Sequence, residues 1–117
     1  MEIDNAVGAL GALAHQGRLE IFRLLVQAGP DGLPAGEIAR ASGMLPNTLS
    51  TNLNILSGAG LVASRRAGRS VIYTAGYDRM RDLLTFLMED CCAGRAEICG
   101  PLARAAGSAC AADGPTC

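Results

Sequence analysis

The stretch Leu45-Pro46-Asn47-Thr48-Leu49-Ser50-Thr51-Asn52-Leu53-Asn54-Ile55-Leu56 decides how this chain is read. Leu45, Leu49, Leu53 and Leu56 recur at steps of four, four and three, which places one apolar stripe on a helix. The opposite side carries Asn47, Thr48, Ser50, Thr51, Asn52 and Asn54. These are mediocre helix formers, because their side chains compete for backbone hydrogen bonds, and a merely solvated face would more usually carry Glu, Lys, Gln or Ala. A row of short uncharged donors and acceptors suits base edges in a DNA major groove.

Working outward, the period changes from helical to two after Gly60. Leu61 to Arg66 and Ser70 to Ala75 read as two strands around Ala67-Gly68-Arg69. Arg65, Arg66 and Arg69 cluster at that turn, where the absence of nearby acidic residues favours phosphate contact over an ordinary solvated loop. Upstream, a short helix from about Pro34 to Ser42, with Ile38 and Ala41 facing in, ends at Gly43. The tight link Gly43-Met44-Leu45 then leads to a second helix, Pro46 to Ala59. Two short helices and a basic hairpin make a winged helix-turn-helix: mainly α with a small β-hairpin. DNA contact is expected from Asn47, Thr48, Ser50, Thr51, Asn52, Asn54, Arg65, Arg66 and Arg69, with double-stranded operator DNA as the partner.

The net charge of −1 argues by itself against nucleic acid, but the charges are segregated. From Ile38 to Tyr77 there is no Asp or Glu, and Arg40, Arg65, Arg66 and Arg69 are the only charges. A chain so divided presents a positive face while near neutral overall. At 117 residues with four aromatics and no Trp, one domain with a thin aliphatic core is expected. No apolar run approaches the ~18 residues of a membrane span, and the start Met1-Glu2-Ile3-Asp4 is acidic where a secretion signal is basic. A cytoplasmic protein without membrane partners is therefore expected, with its cysteines reduced.

A helix from Gln16 to Ala28 carries Leu19, Ile21, Phe22, Leu24, Leu25 and Val26, leaving Arg18, Glu20, Arg23 and Gln27 for solvent; it is the central core helix. His15, the single histidine, reads as a cap or surface residue at its start. Before it, Ile3, Val7, Leu10 and Ala14 follow a seven-residue pattern among small residues, which fits packing on another helix or on the chain's own core. The last helix, about Asp78 to Cys92, has a wide stripe of Met80, Leu83, Leu84, Leu87, Met88 and Cys91 with no later hydrophobic mass to cover it. A twofold homodimer through the N-terminal and last helices follows, with Ile3, Val7, Leu10, Met80, Leu83, Leu84, Leu87 and Met88 at the interface. Residues 1–99 are expected to form the DNA-binding and dimerisation domain with a C-terminal thiol site, and 100–117 a flexible tail.

Two blocks carry a family resemblance. Leu13-Ala14-His15-Gln16-Gly17-Arg18-Leu19-Glu20-Ile21-Phe22-Arg23-Leu24-Leu25 resembles the opening signature of ArsR/SmtB-type metal-responsive repressors. Ser50-Thr51-Asn52-Leu53-Asn54-Ile55-Leu56-Ser57-Gly58-Ala59-Gly60-Leu61-Val62 resembles their reading-helix block, with the arginine wing following. The family often carries histidines where Thr51 and Asn52 stand, which implies a different operator sequence on the same fold. The resemblance implies a homodimeric repressor that leaves its operator when an inducer binds, and no enzyme. It extends to arsenite-responsive members with a vicinal Cys pair and a third Cys beyond the last helix.

All five cysteines lie in the last 27 residues. Leu33 to Met44 holds no Cys, and His15 alone cannot build the His and carboxylate sites that zinc- or nickel-responsive members carry on the last helix. Cys91, Cys92 and Cys99 remain, and Gly94 lets the chain turn back so that the third thiol reaches the first two. Three thiolates without imidazole select a soft thiophilic ion, whereas zinc prefers four ligands. As(III) or Sb(III) is the expected inducer, with no organic cofactor. Cys110 and Cys117 are weaker candidates that complete a four-sulfur cadmium or zinc site if they join. The alternatives are a methylarsenite response through Cys91 and Cys92 alone, and a redox response through a disulfide from Cys99 to one of the pair. From a different class, a small redox enzyme or metal carrier lacks support: there is no Cys-x-x-Cys, Gly-rich phosphate loop or carboxylate dyad.

Overall fold

The computed structural model describes residues 1–88, in the order α1 (Ile3–Leu13), α2 (Gln16–Ala28), β1 (Leu33–Pro34), α3 (Ala35–Ser42), α4 (Pro46–Gly58), β2 (Val62–Ala67), β3 (Ser70–Ala75) and α5 (Tyr77–Met88). Met1–Phe86 form one unit, and a second begins at Leu87. Glu89 to Cys92, the expected end of the last helix, lie outside the described residues, as do the remaining cysteines and the expected tail.

α2 is the central helix, as its apolar density requires. Ile21 and Leu25 are fully buried and Phe22 nearly so, and α1, α3, α4 and β3 all pack on it. Its polar residues are not all left to solvent. Arg18 Nε donates to the Ala12 carbonyl at 2.6 Å, clasping the C-terminal end of α1, where a cation is favoured by the helix dipole. Conversely Leu19, expected inside, is exposed. His15 is a cap: it holds the N-cap position of α2 and its Nδ1 accepts the Arg18 backbone N–H at 3.4 Å.

α1 packs inward through Ala6, Ala9 and Ala12, which leaves Ile3, Val7 and Leu10 exposed. Methyl-sized side chains let the helix axis approach the core closely, and the larger residues take the other face. In α3, Ile38 is buried, but Ala39 rather than Ala41 completes the inner face. Gly43 closes that helix in the left-handed conformation at φ 72°.

In α4 the stripe is Leu49, Leu53 and Leu56, all buried; Leu45 departs from it at 73% exposure because it is the N-cap, outside the helical turn. The helix ends at Gly58, one residue short of the expected Ala59. The hairpin pairs Val62 with Ala75 through Ala67 with Ser70, so Gly68 and Arg69 form a two-residue turn. A third strand that sequence reading missed, Leu33–Pro34, pairs with β3 and gives the sheet order β1-β3-β2. Two residues, one of them Pro, carry no alternation to read.

Leu61, Val62, Ala75 and Leu83 close the core below α2 and α4. The Tyr77 hydroxyl donates to the Val26 carbonyl at 3.4 Å, tying the start of α5 to the end of α2. No described helix is long and apolar enough to cross a membrane.

Candidate nucleic-acid interface

Burial of Leu49, Leu53 and Leu56 fixes the rotation of α4 about its axis, and the side chains opposite that stripe then face outward. Asn47, Thr48, Ser50, Thr51 and Asn54 are exposed on that face. Thr51 Oγ1 donates to the Asn47 carbonyl at 3.0 Å, which turns its hydroxyl back along the helix. Asn52 departs from the expected reading row. It is 5% exposed, the one buried polar residue among those described, and its Nδ2 donates to the thioether sulfur of Met44 at 3.7 Å. Its position one residue before Leu53 lies on the flank of the inner stripe, so it packs under the helix-turn-helix link rather than reaching outward.

The wing arginines separate in the same way. Side chains alternate along a strand, so Arg65 and Arg66 lie on opposite faces of the ribbon. Arg65 Nη2 donates to the Asp31 carbonyl at 2.9 Å, across from the loop that ends α2. Arg66 and Arg69 are exposed and pair with no carboxylate among the described residues. Arg40 is not a free cation, because it pairs with Glu37 one helical turn earlier.

Of the residues expected at a subunit interface, Ile3, Val7, Leu10, Leu84 and Leu87 are exposed large hydrophobics. Leu83 is a correction: at 5% exposure it belongs to the protomer's own core. Met80 also packs against that core. A stripe spanning more than half a helix must serve two surfaces, and α5 divides it between them.

No group of three His, Cys, Asp or Glu side chains that would hold a metal ion exists among the described residues, and Cys91, Cys92 and Cys99 lie outside them.

Residues 13–65 match the family described as helix-turn-helix domain. The chain is 43% identical over 70 residues to the HTH-type transcriptional regulator NmtR of Mycobacterium tuberculosis, a match covering 60% of this chain and 56% of that protein. It thus spans little more than half the length of that relative. Among solved structures, it is similar to a homodimeric winged helix-turn-helix DNA-binding domain from Mycobacterium bovis, described as a possible ArsR-family transcriptional regulator. That likeness has a TM-score of 0.61 at 33% identity and covers 75% of this chain and 82% of that one. HlyU from Vibrio cholerae is similar at 32% identity and a TM-score of 0.59, over 74% of this chain and 97% of HlyU. With α4 and the wing placed as described, the chain belongs to the ArsR family of winged helix-turn-helix transcriptional regulators.

Proposed function

We propose that this chain is a homodimeric repressor that binds operator DNA through α4 and the wing, and that trivalent arsenic or antimony releases it by binding Cys91, Cys92 and Cys99. The observation that carries the DNA-binding half is the exposed row Asn47, Thr48, Ser50, Thr51 and Asn54, with Arg66 and Arg69 on the adjoining ribbon. Short neutral side chains read base edges, and guanidinium groups hold phosphates. The exposed Ile3, Val7, Leu10, Leu84 and Leu87 favour twofold pairing, since scattered apolar exposure needs no partner but two helices each carrying an apolar row do.

The inducer half is supported by composition: a vicinal thiol pair with a third thiol seven residues on, in a chain with one histidine, which caps a helix. Binding three sulfurs ties the chain after α5 to itself and changes how that helix meets its partner. Half-sites on B-DNA lie one helical turn apart, ~34 Å, so a small reorientation of paired reading helices loses contacts at both.

The test is operator binding by fluorescence anisotropy with the chain's own promoter duplex, titrated with arsenite, antimonite, cadmium, zinc and methylarsenite. Release by arsenite or antimonite, abolished by serine at 91, 92 and 99, is the expected result. Release that survives the triple substitution overturns the thiol assignment. Cys99→Ser separates the inducers: loss of the arsenite response with the methylarsenite response intact marks a two-thiol site.

A further inference from the structure

We propose that the cavity where the first turns of α2 and α4 meet seats one backbone phosphate of the bound DNA, with His15 as a donor to it. This rests on the operator-binding reading above. The cavity measures about 300 Å³ and is lined by His15, Asn47, Thr48, Thr51 and Asn52. It opens on the reading face, yet only the α4 residues in its wall were recognisable from the sequence as DNA-facing.

Two helix N-termini converge on it. The N-cap of α4 is Leu45, which makes no side-chain cap, and Pro46 has no N–H. The first N–H of α4 to find an intrahelical acceptor is Leu49, bonded to the Leu45 carbonyl at 2.9 Å. The Asn47 and Thr48 N–H groups precede it and have no acceptor within the helix. α2 contributes its own N-terminus through His15. Unsatisfied N–H groups and the positive ends of two helix dipoles favour an anion.

The wall itself is built for a polar guest. Asn52 is 95% buried, lines the cavity, and its one hydrogen-bond partner among the described residues is a thioether, a weak acceptor. Its amide therefore keeps hydrogen-bonding capacity for whatever enters. Gly17 keeps the floor open, since a Cβ there would lie 2.8 Å from Met44 Cε, 3.3 Å from His15 Cε1 and 3.4 Å from Asn52 Nδ2. His15 Nδ1 accepts the Arg18 N–H, so in the neutral ring the proton sits on Nε2 as a donor. The Thr48 hydroxyl is a further donor, whereas Thr51 spends its proton on the Asn47 carbonyl. No charged side chain lines the space: Arg18 is turned to the Ala12 carbonyl and Glu20 accepts from Gln16.

A phosphate contact positions without reading sequence, and that sets the test. His15→Ser and His15→Asp both retain good N-cap residues, and thermal melting checks that each variant folds. His15→Ser is expected to weaken binding about fivefold, by the same factor on the promoter duplex and on a scrambled duplex, as for a lost hydrogen bond of ~1 kcal/mol. His15→Asp should lose more, since a carboxylate repels phosphate while favouring the α2 dipole. One methylphosphonate position per half-site should weaken wild type but not His15→Asp.

Wild-type affinity in both variants overturns the proposal, as does a loss confined to the promoter duplex, which would make His15 a base reader. Methylphosphonate effects that are additive with His15→Asp at every position, alongside an inorganic-phosphate shift of the His15 imidazole resonance, would make this a free-phosphate site. Failure of wild type to bind either duplex would instead reject the operator-binding reading.

Discussion

Arg65 Nη2 reaches the Asp31 backbone carbonyl at 2.9 Å, bridging the wing to the loop that closes α2. The bond makes Arg65 different in kind from Arg66 and Arg69, although all three sit in one basic cluster in the sequence. One fastens the ribbon to the body, and the others are free to meet a polyanion.

Arg65→Ala is accordingly expected to destabilise the fold by about 0.5–1.5 kcal/mol, the worth of an intramolecular hydrogen bond. Arg66→Ala and Arg69→Ala should leave the denaturation midpoint within about 0.5 kcal/mol of wild type, as exposed substitutions usually do. Each should instead reduce the slope of log affinity against log salt by about 0.9, one phosphate's worth. Equal slopes for wild type and Arg66→Ala would remove that residue from the DNA contact.

α5 allows a second separation. Leu83→Ala empties a site in the protomer core and should cost ~2–5 kcal/mol in urea unfolding. Val7→Asp and Leu10→Asp change exposed positions on α1, at 61% and 42% exposure. They should leave the helical signal intact and shift sedimentation to the monomer mass. Dimers that persist with both aspartates in place would move the interface away from α1.

Gly32 carries the third prediction. Its φ is +71°, and a Cβ there would overlap the Tyr73 carbonyl, where β1 meets β3. Gly32→Ala should therefore destabilise by more than the ~1 kcal/mol of a compatible Gly-to-Ala exchange, and with the opposite sign. Equilibrium unfolding decides it, and a stabilised variant would contradict the close approach of these strands.

Reciprocity provides the fourth. If arsenite weakens operator binding by some factor, saturating operator must weaken arsenite binding by the same factor, because both close one thermodynamic cycle. Arsenite affinity measured by displacement of a thiol-reactive probe, with and without DNA, gives the second leg. Unequal factors would mean that arsenite acts through a side reaction rather than by linkage.

By itself the sequence determined the succession of helices, the helix-turn-helix and its hairpin, because these are written in local periods: three or four residues for α2 and α4, two for the wing, with Gly43 and Pro46 at the breaks. It also determined that α4 presents a polar face, since three leucines at helical spacing turn the opposite side of the helix outward. Only the tertiary structure decided which members of each set do what. Asn52 turned inward beneath Met44, Leu45 outward, and Arg65 toward Asp31, while Leu83 joined the protomer core and Leu84 did not. The pairing of Leu33–Pro34 with β3 was likewise invisible, being set by a strand nearly forty residues away. The physical reason is common to all of them. Periodicity says which side chains share a face, but where that face ends depends on what packs against its margin, and that neighbour comes from a distant part of the chain.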